Sequence, residues 1–389
     1  MSAVVTQPVA PTLRLDPWLA GSALALALLG LVMVASASIT MADRVFDQPF
    51  HYLLRQLVYL GLGGLAAAFC VLMPLRAWEQ ASPLLLTVAA LLLVAVLLPG
   101  IGHEVNGATR WLRMGIFNLQ ASEPARLLIL LYLCSYVARR RDALEAGFKG
   151  LLFPLVIVTA AGTLLMLQPD FGATVVLFAT ATSVLFVGGM RLGYLLVMGV
   201  AGFASLGLLV LTSEYRMRRL TAFLDPWADP WNSGFQLTQS LIAIGRGEWF
   251  GVGLGGSVQK LFYLPEAHTD FVFAVFAEEF GLLGVFLMIA LFTVLLWRAF
   301  AISAAAAAAG RVFAACLAFG IGTSIGLQAF INIAVNMGLL PTKGLTLPLV
   351  SYGGSSLLVT AAAIGLLLRI HYELSADGYA GRRAARASR

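Results

Sequence analysis

Apolar runs fall near residues 18–40, 54–74, 83–101, 121–138, 151–168, 171–190, 192–212, 271–297, 312–336 and 347–370. A bilayer core about 30 Å thick is crossed by about 20 apolar residues in helical form. The pattern therefore predicts an all-α polytopic membrane protein with about ten transmembrane helices. Two separations are short, Gln168-Pro169-Asp170-Phe171-Gly172 and Gly188-Gly189-Met190-Arg191; each carries helix breakers and a charge, and predicts a tight turn. One interval, 213–271, is long and polar, and predicts a large loop between helices 7 and 8. The resulting plan is a tail at 1–17, a transmembrane domain at 18–370 containing that loop, and a basic tail at 371–389. The tail is expected to be unstructured from Ser375 onward.

Composition agrees with this plan. Of the 389 residues 60% are hydrophobic and 11% charged, and the mean hydropathy is +0.90, which excludes a soluble domain of this size. A net charge of +6 raises nucleic acid as a partner, but the basic residues sit in short connections between apolar runs, where they orient helices. Nucleic-acid binding is excluded on that ground. Arg76, Arg139-Arg140-Arg141 with Lys149, Arg191, Arg298, Arg311 and the C-terminal arginines fall on one side of the alternation. That side is the inner one by the positive-inside rule, which places both termini in the cytoplasm and the 213–271 loop outside. Val34–Ser38 has the small residues of a signal-peptidase site, but the apolar stretch before it is long enough to span, so a retained first helix is expected. Cys70, Cys134 and Cys316 each lie inside an apolar run and read as small hydrophobes. The two halves of the chain do not mirror each other, which counts against an inverted-repeat transporter.

Ionisable groups near a membrane are costly and mark functional candidates. Three outer segments carry them. The first is Asn106-Gly107-Ala108-Thr109-Arg110-Trp111-Leu112, followed by Ala121-Ser122-Glu123-Pro124-Ala125-Arg126. Glu123 and Arg126 share a helix face, either as a structural ion pair or as part of a charged site. The second is the long loop, which opens on Arg216, Arg218 and Arg219, continues through Arg246, glycines and Lys260, and closes on Leu264-Pro265-Glu266-Ala267-His268-Thr269-Asp270-Phe271. The glycines match neither a P-loop nor a dinucleotide fingerprint. Asp270 reads either as an ordinary helix cap or as chemistry; Glu266 and His268 beside it, with Glu278 and Glu279 following, are more than a cap requires. His268 is open to a proton-shuttle or a structural role. The third runs from Asn332 and Asn336 through Gly338–Pro348 to Ser351-Tyr352-Gly353-Gly354-Ser355-Ser356, with Lys343 either snorkelling to water or holding an anion.

The stretches Asn106–Leu112, Pro226–Gly245, Leu264–Phe273 and Gly338–Ser356 together resemble the SEDS (shape, elongation, division and sporulation) family of multi-pass bacterial cell-wall proteins. The Pro341–Pro348 stretch is similar to the division branch more than the elongation branch. The resemblance implies a peptidoglycan glycosyltransferase that polymerises lipid II at the outer face of the inner membrane, at the division septum. It implies a class B penicillin-binding protein and other division proteins as partners, and an essential acidic residue at Asp270. One departure stands at the fourth helix. The family's Pro-Ser-Glu followed by Lys is here Ala121-Ser122-Glu123-Pro124-Ala125-Arg126, and Arg is not geometrically equivalent to Lys.

The chemistry suits these residues. A sugar hydroxyl attacks an anomeric carbon and displaces a lipid diphosphate, which leaves as a stable anion. The second carboxylic acid of glycoside hydrolases is then dispensable, and one general base plus positive charge on the diphosphate remain necessary. Asp270 is the candidate base, with Glu266 and His268 assisting. Arg110, Arg216, Arg218, Arg219, Arg246, Lys260 and Lys343 are phosphate candidates, and Ser351, Glu123 and Arg126 complete the expected substrate site. No cofactor is called for; a divalent cation, Mg or Mn, at the diphosphate is the one addition the chemistry can use, and no ligand spacing marks one. Two other classes stay open: a lipid II flippase with a path along Glu123, Arg126 and Asp170, and a non-catalytic scaffold.

Overall fold

The computed structural model describes residues 15–387 apart from 106, 116, 212, 213, 262 and 343. Its helices are α1 (Pro17–Phe46), α2 (His51–Leu72), α3 (Leu75–Leu97), α4 (Ser122–Ala146), α5 (Phe148–Leu167), α6 (Phe171–Val187), α7 (Leu192–Leu211), α8 (Glu214–Leu224), α9 (Phe235–Gly247), α10 (Val272–Ala308), α11 (Val312–Asn336) and α12 (Gly354–Ala387). Seven of them are long and apolar enough to cross a membrane: α1, α2, α3, α5, α10, α11 and the Gly354–Ala376 part of α12. Helix α11 lies most deeply inside, with 61% of its apolar window buried. It packs against α10, α4 and α6, while α12 lies along α2 and α1 along α10.

Local signals set the helix starts. Asp16 caps α1, accepting from the backbone N–H groups of Trp18 (3.0 Å) and Leu19 (3.1 Å), with Pro17 at the first helical position. The same carboxylate takes Arg298 of α10, so one buried acid joins a cap to an interhelical ion pair. Asp170 caps α6 through the N–H of Ala173 (3.2 Å).

Each apolar run coincides with a helix, with three differences from the sequence reading. The run at 347–370 is helical only from Gly354, and residues 345–351 form a buried non-helical segment. The backbone of α12 continues as helix to Ala387, so the expected unstructured tail is helical over its described part. The fold is also not purely α. Strands β1 (Gly102–Val105), β2 (Ala108–Met114) and β3 (Phe117–Gln120) form an antiparallel sheet in the order β1-β2-β3, with a bulge between His103 and Glu104.

The interval 213–271 is not a free loop. It contains α8 and α9, and its glycine-rich part is stitched into a break in α10. Gly281 has φ 64° and ψ −164°, a conformation strongly disfavoured with a Cβ, and it interrupts the helical ladder. The carbonyls of Glu278 and Glu279 accept from the N–H groups of Val252 (2.9 Å) and Gly253 (3.1 Å). In return the N–H groups of Leu282 and Leu283 donate to the carbonyls of Glu248 (2.9 Å) and Trp249 (3.2 Å). The backbone groups freed by the break are thus satisfied by the segment that enters it.

Candidate functional site

Asp270 is the residue just before the cap of α10, and its backbone is held from below. Asn332 and Asn336, buried on successive turns of α11, both donate through Nδ2 to its carbonyl oxygen, at 2.9 Å and 3.0 Å. Asn332 also donates to the carbonyl of Leu345 (2.6 Å), and Asn336 Oδ1 accepts from the N–H of Ala274 (3.2 Å). Two amides therefore fix the start of α10 and the 345–351 segment to one helix. The sequence reading gave Asn332 and Asn336 no role, although their spacing of four puts both on one face of α11.

The carboxyl of Asp270 lies beside residue 344, where a Cβ would come 3.1 Å from Oδ2; glycine there leaves the carboxyl room. Burial above all, with the negative charge of Glu266 adding to it, pushes this carboxyl up to about 7. Arg110 and Arg219 pull it down, and Asp170 pushes it up. The two arginines come from different elements. Arg110, on β2, donates through Nε to the carbonyl of Gln168 (3.1 Å) and through Nη2 to that of Pro169, covering the C-terminal end of α5. Arg219, on α8, donates to the carbonyl of Thr342 (3.2 Å). Asp170 is buried and accepts from Ser122 Oγ (2.9 Å) and Gln120 Nε2 (3.3 Å), while Ser355 Oγ accepts from the N–H of Gln120 (2.8 Å). The sheet is thereby tied to α4, α6 and α12 around Asp270.

Glu266 is exposed, with φ 57°, and its Oε2 accepts from Thr269 Oγ1 (2.7 Å). Its carbonyl accepts from the N–H groups of Thr269 and Phe271, both at 3.2 Å, which folds the Glu266–Phe271 turn under the carboxyl. His268 is buried between the rings of Tyr52 (4.6 Å between centroids) and Tyr352 (5.6 Å), and its carbonyl accepts from the N–H of Tyr352 (2.9 Å). Desolvation lowers its pKa, against the pull of Glu266, so the imidazole is held towards the neutral form. Burial pushes the Tyr352 hydroxyl up to about 12. This aromatic enclosure, with the carbonyl of His268 bound to the N–H of Tyr352, makes the residue a support for the turn.

Several sequence candidates are otherwise engaged. Lys260 is held within the protein, away from the phosphate role expected of it. Its Nζ pairs with Glu279 Oε1 (3.0 Å) and donates to Ser36 Oγ (3.1 Å), and Glu279 also accepts from Ser36 at 2.7 and 2.9 Å. Arg246 pairs with buried Glu278 (3.3 Å), which also accepts from Ser257 Oγ and the N–H of Val258 (3.2 Å). These groups anchor the 246–263 segment to α10 and α1, and Glu278 and Glu279 are buried anchors outside the Asp270 cluster. Ser351 is buried and its hydroxyl accepts from the N–H of Leu347 (2.8 Å), a turn cap rather than a substrate contact. Arg218 forms an exposed pair with Glu214 (2.6 Å). Lys343 and the side chain of Arg216 lie outside the described residues.

Glu123 and Arg126 form a buried pair at 2.6 Å. Arg126 also donates to Gln328 Oε1 (3.0 Å), whose amide donates to the carbonyl of Thr346 (3.1 Å) and to Ser356 Oγ (3.4 Å). Both the ion-pair and the site readings keep a footing. The pair is structural in form, yet it lines a cavity of about 40 Å³ between α4, α6, α11 and α12, and Arg126 Nε and Nη1 have no hydrogen-bond partner among the described residues. Among the described residues no group of three or more His, Cys, Asp or Glu side chains is placed to hold a metal ion.

The FtsW/RodA/SpoVE family model, described as Cell cycle protein, matches residues 18–376. A relative from Thioalkalivibrio sulfidiphilus named "Probable peptidoglycan glycosyltransferase FtsW" is 57% identical over 366 residues, 94% of this chain and 91% of its own. A relative of the same name from Alkalilimnicola ehrlichii is 56% identical, over 92% and 90%. Among solved structures, a chain of a peptidoglycan synthase complex, described as coordinating polymerization and crosslinking, has a TM-score of 0.77. It is 33% identical, over 93% of this chain and 99% of that one. The rod shape determining protein RodA of Thermus thermophilus has a TM-score of 0.68 at 31% identity, over 93% and 98%. The family match over residues 18–376 and the relatives above half identity agree: the chain belongs to the FtsW/RodA/SpoVE family of cell cycle proteins.

Proposed function

We propose that this chain is a peptidoglycan glycosyltransferase that polymerises lipid II during septal cell-wall synthesis, with Asp270 as the general base. The observation that carries the reading is the placement of Asp270 at the start of α10, its carbonyl held by Asn332 and Asn336 and its carboxyl given room by Gly344. Burial there raises the carboxyl to about 7, and the charges of Arg110 and Arg219 act on it. A base with its pKa near the working pH combines a useful ionised fraction with real basicity. Ionised Asp270 takes the proton of the attacking sugar hydroxyl as that oxygen bonds to the anomeric carbon. The bond to the diphosphate breaks, and Arg110 and Arg219 stabilise the leaving anion. A divalent cation, Mg or Mn, would add charge at the diphosphate. Glu266 acts by raising the basicity of Asp270, and His268 by fixing the turn.

In the membrane, α4, α6 and α7 join the seven long helices to make ten spans, with both termini in the cytoplasm and α8, α9 and the sheet outside. The transmembrane domain is 18–370, between tails at 1–17 and 371–389, in the inner membrane at the septum. A class B penicillin-binding protein that crosslinks the new strands is the expected partner, beside other division proteins. The named crosslinking function of the complex that this chain resembles supports that pairing.

Reconstituted vesicles with lipid II only in the outer leaflet test the reading. Polymer formation supports it; movement of intact lipid II between leaflets with no polymer favours the flippase.

A further inference from the structure

A second cavity, of about 950 Å³, opens at the far end of α4 from Asp270. Ser122, at the Asp270 end, and Arg139, at the cavity, are separated by about 26 Å along the helix at 1.5 Å per residue. The catalytic reading does not use this cavity. Its lining contains three cations, Arg139, Arg140 and Lys149, with aromatic rings from α4, α5 and α7 and no acidic residue. Neither Arg140 nor Lys149 has an ion-pair partner among the described residues, whereas Glu145 outside the lining is taken by Arg141 (2.9 Å).

Backbone adds to this charge. The cap of α5 is Gly147, which offers no side-chain acceptor to the first-turn N–H groups, and the first turn holds Lys149 but no acid. A helix start of that kind favours an anion. The walls are fixed: Tyr136 donates to the carbonyl of Gly150 (2.8 Å), and its ring stacks on Phe153 at 5.9 Å. Arg140 departs from helical geometry at φ −130°, ψ 28°, where α4 bends at the cavity mouth. Phe148, Leu152 and Phe153 continue from the basic mouth as an exposed apolar strip, each about half exposed.

Basic residues at a helix-lined mouth and an apolar strip running from them along a span match the two ends of one ligand. We infer that this cavity binds the phosphodiester headgroup of an anionic phospholipid, with an acyl chain lying along Phe148, Leu152 and Phe153. Basic pockets between helices at a membrane surface suit such headgroups. A free phosphate shares the anionic chemistry but makes no use of the strip.

Native mass spectrometry of the full chain in detergent tests this, titrating phosphatidylglycerol, phosphatidylcholine, inorganic phosphate and glycerophosphoglycerol. The first phosphatidylglycerol is expected to bind more tightly than phosphatidylcholine. Each basic group near a lipid surface contributes roughly fivefold, so Arg140→Gln with Lys149→Gln should weaken phosphatidylglycerol by about thirtyfold and leave phosphatidylcholine unchanged. The charge-keeping pair Arg140→Lys with Lys149→Arg should retain the preference, which separates loss of charge from loss of fold. Equal binding of the two lipids, an unchanged glutamine variant, or loss of preference in the charge-keeping variant overturns the inference. So does inorganic phosphate or glycerophosphoglycerol binding as tightly as phosphatidylglycerol.

Discussion

Replacing Lys260 by Met removes the ammonium from Glu279 while keeping most of the apolar stem. Glu279 is fully enclosed and Lys260 is only 9% exposed, so water does not replace the lost partner. The carboxylate would keep only the hydroxyl of Ser36. Breaking a buried ion pair from one side costs about 3–5 kcal/mol, because the remaining charge stays buried and unpaired. Removing both charges, Lys260→Met with Glu279→Met, leaves no such charge and should cost no more than about 1 kcal/mol. The coupling in the cycle is then at least about 2 kcal/mol. The assay is reversible unfolding in mixed micelles, followed by circular dichroism, on wild type, both single variants and the double variant. A loss under about 1 kcal/mol for Lys260→Met, with additive effects across the cycle, would refute the anchoring role. Lost polymerisation with unchanged stability would return Lys260 to the phosphate site.

Other expectations follow from the same geometry. Asn332→Ala removes donors from the carbonyls of Asp270 and Leu345; at about 1–3 kcal/mol for a buried polar group left unsatisfied, the melting temperature should fall and turnover should fall with it. Arg110→Gln removes a charge that lowers the Asp270 pKa, so the alkaline-rising limb of the pH–rate profile should move to higher pH; a limb that stays in place removes Arg110 from the site. The folded-state pKa of Asp270, about 7, is above its ordinary 3.8, so the folded form holds a proton that the unfolded chain releases between those values. That contribution to stability is present below about 4 and is lost as pH rises through 7. Unfolding titrations across this range should show the stability of Asp270→Asn, relative to wild type, increasing with pH.

The helix pattern was legible because helices in lipid need long apolar runs: each run coincides with a helix, and seven of these helices are long and apolar enough to cross a membrane. The sheet was not read from the sequence, although Asn106-Gly107 is a hairpin signal and lay between the segments that became β1 and β2. Polarity led to one long loop at 213–271, whereas α8 and α9 are short amphipathic helices and the glycines around 251–253 fit a break in α10. Asp270, Glu266 and Arg110 were readable because charge beside a membrane is conspicuous. Lys260, Arg246 and Ser351 were assigned to substrate because a sequence does not show which partner satisfies a polar group. The partners Glu279, Glu278 and the N–H of Leu347 come into view only with the packing. Asn332 and Asn336 were named in the third segment but given no role for the converse reason: neutral amides inside an apolar helix carry no charge signal, yet they set the position of the Asp270 turn.

The most direct test is lipid II polymerisation by purified Asp270→Asn with its class B partner present. Asparagine keeps the shape and the backbone hydrogen bonds from Asn332 and Asn336 but has no basic carboxylate. No glycan strands above background, from a variant that melts as a folded protein and still binds its partner, is the expected result. Strand formation at the wild-type rate would contradict the role of Asp270 as the base.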